Sequence, residues 1–415
     1  MHSKKGTRHV DVVIIGGGPA GTTAATLLQK KGHQCLIVEK ATFPRYHVGE
    51  SLIPHTFGTI ARLGLLDTMK ASHFPPKHSV RFVSPSGNAS DAFYFSEVIK
   101  GEGARTWQVQ RSEFDVICLD NAKSAGVEVM MNSGVKKVCF EKDQAVGVVV
   151  STADNESIEI NAKVVVDASG FATVIGQQLG IKEHVPGLNK ASMWAYYKGG
   201  KRLDGIDSGE TTIFSLPHGG WIWYIPLPDD IISVGVVGDP EILFTQSNDF
   251  ESALLNEISQ CQPLMARLSS AKKVGPTRGY RRLAFRNQQV VGNGWIMIGD
   301  AAMFLDPIYS SGLFLAMGSA EMAAQSIHDA LVKNEPSAES IGAHLPALMG
   351  GVGVVHDLIF AFYDRDFSFG EFVKRFPQHR KDLINCLIGD VISTDMSSFS
   401  KALATMTQTP PPLVA

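Results

Sequence analysis

The chain has 415 residues, 44% of them hydrophobic and 19% charged; that balance excludes a disordered or fibrous protein, and at roughly 150 residues per domain the length suits two or three domains. Lys and Arg number 38 against 41 Asp and Glu, a net charge of −3 with no long basic run, so neither nucleic acid nor a membrane surface is an expected partner. No apolar run approaches the roughly 18 residues of a membrane span, and Met1 to His9 lacks the apolar stretch of a signal peptide, which makes a cytoplasmic location the expectation.

In chain order, the β-branched run Val10 to Ile15 ends in Gly16, Gly17 and Gly18. A helical pattern then runs from about Ala20 to Lys31, and a buried strand from Gln34 to Val38 ends at Glu39. This strand, glycine turn, helix, strand order opens a dinucleotide-binding fold. Two further buried strands, Val164 to Val166 before Asp167 and Trp295 to Ile298 before Gly299, are expected to end at a ligand. Between them, about Lys190 to Gly238, aromatic and β-branched alternation with glycine and Pro-Asp-Asp turns predicts an inserted antiparallel sheet. A helix is expected from Gly312 to about Leu331, then mostly helix to Met406 with breaks at Gly350-Gly351 and Phe376-Pro377, and a frayed tail from Thr409 to Ala415. The five cysteines, Cys35, Cys118, Cys139, Cys261 and Cys386, lie far apart without CxxC spacing, so they read as reduced, mostly buried thiols. The histidines, including His55, His78 and His218, show no ligand spacing, and no metal is expected.

The first chemical motif is Gly16-x-Gly18-x-x-Gly21, with Ala20 inside it and Glu39 at the end of the next strand. Glycines let backbone N–H groups approach a pyrophosphate at the helix N-terminus, and the acid accepts bonds from the adenosine ribose. The motif does not choose between FAD and NAD(P). Asp300 at the end of its buried strand, Arg111 in Val109-Gln-Arg-Ser-Glu-Phe-Asp115, and Asp167 in Val-Val-Val-Asp-Ala-Ser-Gly170 together favour FAD. Taken singly, Asp300 reads equally as a helix cap and Arg111 as an ion pair. By default Lys77 is a solvated lysine, and Trp221 and Trp223 are core aromatics of the sheet. The backbone N–H groups of Ser311 and Gly312 open a long helix, where an anion or a plain glycine cap would both fit.

Over roughly residues 8 to 335 the chain resembles the flavin-dependent halogenases that act on phenols and pyrroles. The resemblance rests on Phe43-Pro-Arg-Tyr-His-Val-Gly-Glu-Ser-Leu-Ile-Pro54, on Trp221-Ile-Trp-Tyr-Ile-Pro226 as the family's WxWxIP signature, on Asp306-Pro-Ile-Tyr-Ser-Ser-Gly312, and on Lys77. It implies an α/β fold: an FAD-binding, doubly wound Rossmann-like domain (residues 8–75, 108–185 and 275–335), an inserted antiparallel β-sheet substrate domain (76–107 and 186–274), and a helical C-terminal region (336–415). It assigns Lys40, Arg45, Gly49, Glu50, Ser51, Gly299, Pro307 and Gly312 to the cofactor beside the residues above, Ser311 and Gly312 to chloride or bromide, and Lys77 to catalysis. Lys77 would hold hypohalous acid as an ammonium or take its halogen as an amine. The two tryptophans become a wall between flavin and substrate, and Phe360, Phe362, Tyr363 and Phe367 are expected to close the cleft. A separate flavin reductase and an electron-rich aromatic substrate, free or on a carrier protein, complete the reading. Tyr309 stands where tryptophan halogenases carry a catalytic glutamate, which disfavours tryptophan. A monooxygenase or a reductase of the geranylgeranyl type would share the FAD motifs but not Lys77, the tryptophan signature or the halide loop. A redox-sensing flavin regulator finds no DNA-binding motif in support.

Overall fold

The computed structural model describes residues 8–408, Pro410 and Leu413. Its first sheet runs in the order Val291–Gly292, Trp295–Met297, Ser157–Asp167, Arg8–Ile15, Cys35–Val38, Glu128–Met130, and the hairpin Gly134–Glu141 and Gln144–Ser151 joins it through the first half of Ser157–Asp167. The four inner strands of this order are mutually parallel. Their runs of Val, Ile and Leu are free of solvent, as expected of strands covered on both faces. The register pairs Ile15 with both Val38 and Asp167, and Asp167 with Met297. Gly16, Ala168 and Gly299 therefore leave the sheet side by side at its carboxyl edge, where such sheets bind ligands.

The helix Pro19–Lys30 starts on proline, whose missing N–H costs nothing at a helix start, and packs its Ala and Leu face on the helix Ser311–Val332. Two helix N-termini are thereby presented to the same edge of the sheet.

The second sheet has seven strands in the order Lys272–Tyr280, Ala191–Lys198, Ile231–Gly238, Trp221–Pro226, Thr211–Ser215, Ser79–Val83, Phe93–Tyr94. All pairs are antiparallel except Thr211–Ser215 with Ser79–Val83. A separate short ladder pairs Pro76–Lys77 with Thr106–Trp107. The boundary expected between residues 274 and 275 falls inside Lys272–Tyr280, a strand that belongs to this second sheet. Its Gly-Pro-Thr interruption and three cations, Lys272, Lys273 and Arg278, leave the strand without an apolar alternation.

The C-terminal region is helical, but Gly350-Gly351 does not break it: one helix spans Leu345–Tyr363. A Cβ on Gly351 would stand 2.7 Å from the Ile392 side chain and 2.8 Å from the Val391 carbonyl. Glycine here admits a neighbouring segment rather than a turn. Contrary to the expectation of no such run, this 19-residue helix has a mean hydropathy of 1.7 and is long and apolar enough to cross a membrane. Half of it is buried inside the protein, where Leu358 and Ile359 join the core around the tryptophans. Most of the expected tail lies outside the described residues; Leu413 itself is buried and its carbonyl accepts a 2.6 Å bond from Arg286. All five cysteines are free, and only Cys139 is partly exposed.

Candidate active site

The glycine turn is closed so tightly that only glycine fits. A Cβ on Gly21 would stand 2.0 Å from the Gly16 carbonyl oxygen, and Gly16 itself has φ of +106° with the Ala168 carbonyl 2.5 Å from a Cβ position. Glu39 accepts 2.7 Å bonds from the N–H groups of Gly17 and Ala41, so it braces the turn; a carboxylate has lone pairs left for a ribose. Ala20 is buried under the turn and Lys40 is exposed.

Arg45 reaches over the helix start, with Nη2 3.3 Å from a Cβ position on Gly18. Its Nη1 lies 3.1 Å from Asp115 but is buried without a hydrogen-bond partner. Asp300, partly buried, has a carboxylate that accepts no hydrogen bond among the described residues, and burial pushes it up to about 6 against the pull of the Arg111 charge. A Cβ on Gly312 would meet nothing within 4 Å. The Arg45 guanidinium over one helix start, a carboxylate without a hydrogen-bond partner among the described residues at a strand end, and open space at the other helix start fit a flavin dinucleotide, for which Arg45 would face the phosphates and Glu39 and Asp300 the sugar hydroxyls.

Two of the expected cofactor residues also hold partners within the chain. Asp167 is fully buried, its oxygens accepting from the N–H groups of Ser169 at 3.0 Å and Ile175 at 2.7 Å. Arg111 forms a buried fork with Asp115 at 2.7 and 3.1 Å and donates to the carbonyls of Val48 and Gly49, fixing the loop before Glu50. A guanidinium with these partners would act on a cofactor by its charge and by the shape of that loop. Gly49, with φ of +96°, supplies the bend. Glu50 is buried, accepts from the Tyr196 hydroxyl and is pushed up to about 7, mainly by burial.

Lys77 is not the solvated lysine its neighbours suggest: it is 0% exposed. Nζ donates to the Ser51 hydroxyl oxygen at 2.8 Å and to the Leu52 carbonyl at 3.1 Å, and lies 5.6 Å from the Phe95 ring centre. Burial alone brings its ammonium down from 10.5 to about 7. An amine that is half neutral at physiological pH can both donate a proton and accept an electrophile. Thr211 and Gln108, which the sequence reading did not single out, stand behind Ser51. Their signal is polar residues on strands where apolar ones are the rule.

Trp221 and Trp223 are buried with ring centres 5.9 Å apart, and Gly235 makes room for Trp223, whose ring atoms would stand 2.2 Å from a Cβ there. The Trp221 indole donates 2.8 Å to the Tyr363 hydroxyl, which donates 2.9 Å to Asp306; Asp306 also accepts from the Ile308 N–H. One chain of hydrogen bonds thus joins the tryptophan wall, the C-terminal helix and the loop before Ser311. That loop turns through Ser310 at φ of +53°, with Pro307 partly buried and Ser311 buried. Tyr309 is pinned elsewhere, donating 3.1 Å to the Leu358 carbonyl, so its hydroxyl is no substitute for a carboxylate in an open pocket.

Tyr363→Phe leaves the Trp221 N–H and one Asp306 oxygen unpaired, at roughly 1–3 kcal/mol for each buried group. Burial lifts Asp306 from 3.8 to about 7, so the folded chain holds its proton where the unfolded chain has lost it, and the stability this gives fades as pH rises through about 7. Losing the tyrosine donor disfavours the ionised form further. The denaturation midpoint should therefore fall more at about pH 8 than at about pH 5.

The model of the family described as FAD binding domain matches residues 9–213. A 1H-pyrrole-2-carbonyl-[peptidyl-carrier protein] chlorinase of Pseudomonas fluorescens is 31% identical, over 92% of this chain and 90% of its own length. A tryptophan 2-halogenase of Chondromyces crocatus is 34% identical over 76% of this chain and 60% of its own. The structure of the flavin-dependent brominase Bmp2 superposes with a TM-score of 0.86 at 31% identity, covering 96% of this chain and 97% of that one.

Proposed function

Since the chain belongs to the flavin-dependent halogenases, we propose that its substrate is a pyrrole-2-carbonyl group held as a thioester on a carrier protein, and that a separate reductase supplies the reduced flavin. FAD, reduced and in contact with oxygen, supplies the oxidising equivalent that turns chloride or bromide into hypohalous acid. The chain's own residues do the rest. Gly16, Gly18, Gly21, Arg45 and Asp300 hold the cofactor, and the Ser311 and Gly312 N–H groups offer an anion the positive end of a long helix. The buried tryptophans exclude water, and Lys77 delivers the halogen to the ring.

The observation that carries this reading is the Lys77 amine, fully buried and fixed by two acceptors. The carrier-bound pyrrole is supported by the chlorinase that matches this chain over nearly its whole length; the tryptophan enzyme matches over a part of its own, and Tyr309 offers no free carboxylate. The test is competition among pyrrolyl-carrier protein, free pyrrole-2-carboxylate, a simple phenol and tryptophan under one supply of reductase, FAD and bromide. Mass spectrometry should find bromine first on the carrier; bromine first on tryptophan would overturn the substrate.

A further inference from the structure

Antiparallel pairing sets Lys77 opposite Thr106 on the two-strand ladder, and Gln108 follows two residues on, so all three side chains share one face. Ser51 bridges to Gln108 from the facing loop. Behind Lys77 the contacts continue: the Ser51 and Thr211 hydroxyl oxygens lie 3.1 Å apart, and Gln108 Nε2 donates 2.8 Å to Thr211 and 2.9 Å to the Gly209 carbonyl. A carbonyl can only accept, so the Gly209 bond fixes which way the Gln108 amide points. Thr211 is thereby held in place with a lone pair available to Ser51. Ser51, Thr211, Thr106 and Gln108 are all buried.

We infer that Thr211 and Ser51 are positioning residues that orient the Lys77 amine: Thr211 takes the Ser51 hydrogen, so Ser51 turns a lone pair to Nζ and can only accept from it. This rests on the function proposed above. A neutral amine has two hydrogens, and the Ser51 oxygen and the Leu52 carbonyl take both. Its lone pair is left at the one remaining position. There it attacks the halogen of hypohalous acid: the N–X bond forms, the O–X bond breaks, and the leaving hydroxide takes the displaced N–H proton as water. Transfer to the ring then returns the ring proton to nitrogen and regenerates the amine. Among the described residues no charged group competes for Nζ. On the loop before it Glu50 faces Tyr196; beside Thr211, Glu210 faces Ser79 and Arg81; the neighbouring His78 couples to Arg105 and Asp207; and Phe95 and Thr106 carry no charge.

Thr211→Val keeps shape but frees the Ser51 hydrogen to turn onto the Nζ lone pair, whereas Thr211→Ser keeps the hydroxyl. Flavin-free protein treated with dilute hypobromous acid and mapped by peptide mass spectrometry reports halogen on Lys77 directly. The wild type and Thr211→Ser should carry it, and Thr211→Val about tenfold less, the rate equivalent of one good hydrogen bond. Ser51→Ala, which removes the acceptor, should fall likewise and covers the case in which the valine variant misfolds. In the loaded enzyme, halogenated product per oxygen consumed should drop by the same factor in Thr211→Val and recover in Thr211→Ser. Equal labelling of Lys77 in wild type and Thr211→Val, or no labelling in any of the proteins, would overturn the assignment. Product absent from the loaded wild type would instead sink the function it rests on, while the peptide map still judges the orientation.

Discussion

Lys77→Met should lose halogenation by about 10²–10⁴-fold, the range of a positioned acid–base group, and at the same time make the protein more stable. The unfolded chain keeps the lysine proton up to its usual 10.5, whereas burial makes the folded chain release it near 7. Between those values the unfolded state binds the extra proton, so the cost of burying Lys77 falls as pH rises. Below about 7 the cost is at its full size, and at about 1.4 kcal/mol per pKa unit it is of the order of a few kcal/mol. A methionine of similar volume does not carry it. The variant's melting temperature should exceed the wild type's most at about pH 6 and converge on it toward pH 10. A variant less stable at every pH would mean that Lys77 is held for packing rather than for chemistry.

Gly21→Ala is the second large effect. Its Cβ would stand 2.0 Å from the Gly16 carbonyl and 3.2 Å from Ile14. Both the turn and the helix that meet there are backbone, so neither can yield by a rotamer change. The helix start must move off the sheet edge, taking its N–H groups from the pyrophosphate and costing roughly 1–3 kcal/mol of overpacking. FAD titrated into the variant and followed by flavin fluorescence should bind at least about tenfold more weakly, the loss expected when one or two charge-assisted bonds are misplaced. Wild-type affinity with unchanged stability would show that the turn is not the cofactor's cradle.

The parts legible in the sequence are those whose physics is local. The glycine spacing, the buried strand ends at Glu39, Asp167 and Asp300, and the long helix after Pro307 announce a dinucleotide fold because each needs only its neighbours. The Lys77 position came from resemblance alone: Pro75-Pro76 beside it suggest a surface turn, and its burial depends on Ser51, Leu52 and Phe95, which the chain brings together only on folding. The Arg111–Asp115 pair is an i,i+4 contact on one helix and is legible as an ion pair, whereas the Ile175 N–H that Asp167 accepts from lies on a separate helix that only folding brings to it. Gly351 reads as a break in one dimension because the Val391 segment that requires it is invisible there. The Trp221, Tyr363, Asp306 chain joins three distant segments, and no periodicity marks it.

The most direct test of the account follows the oxygen atoms. Wild-type protein is supplied with FAD, a flavin reductase, NADH, bromide, a pyrrolyl-carrier protein and isotopically labelled oxygen gas, and the pyrrole is weighed by mass spectrometry. The expected result is bromine in place of ring hydrogen, label in water and none in the pyrrole. Label in the pyrrole without bromine, from protein that binds FAD and consumes oxygen, would contradict it.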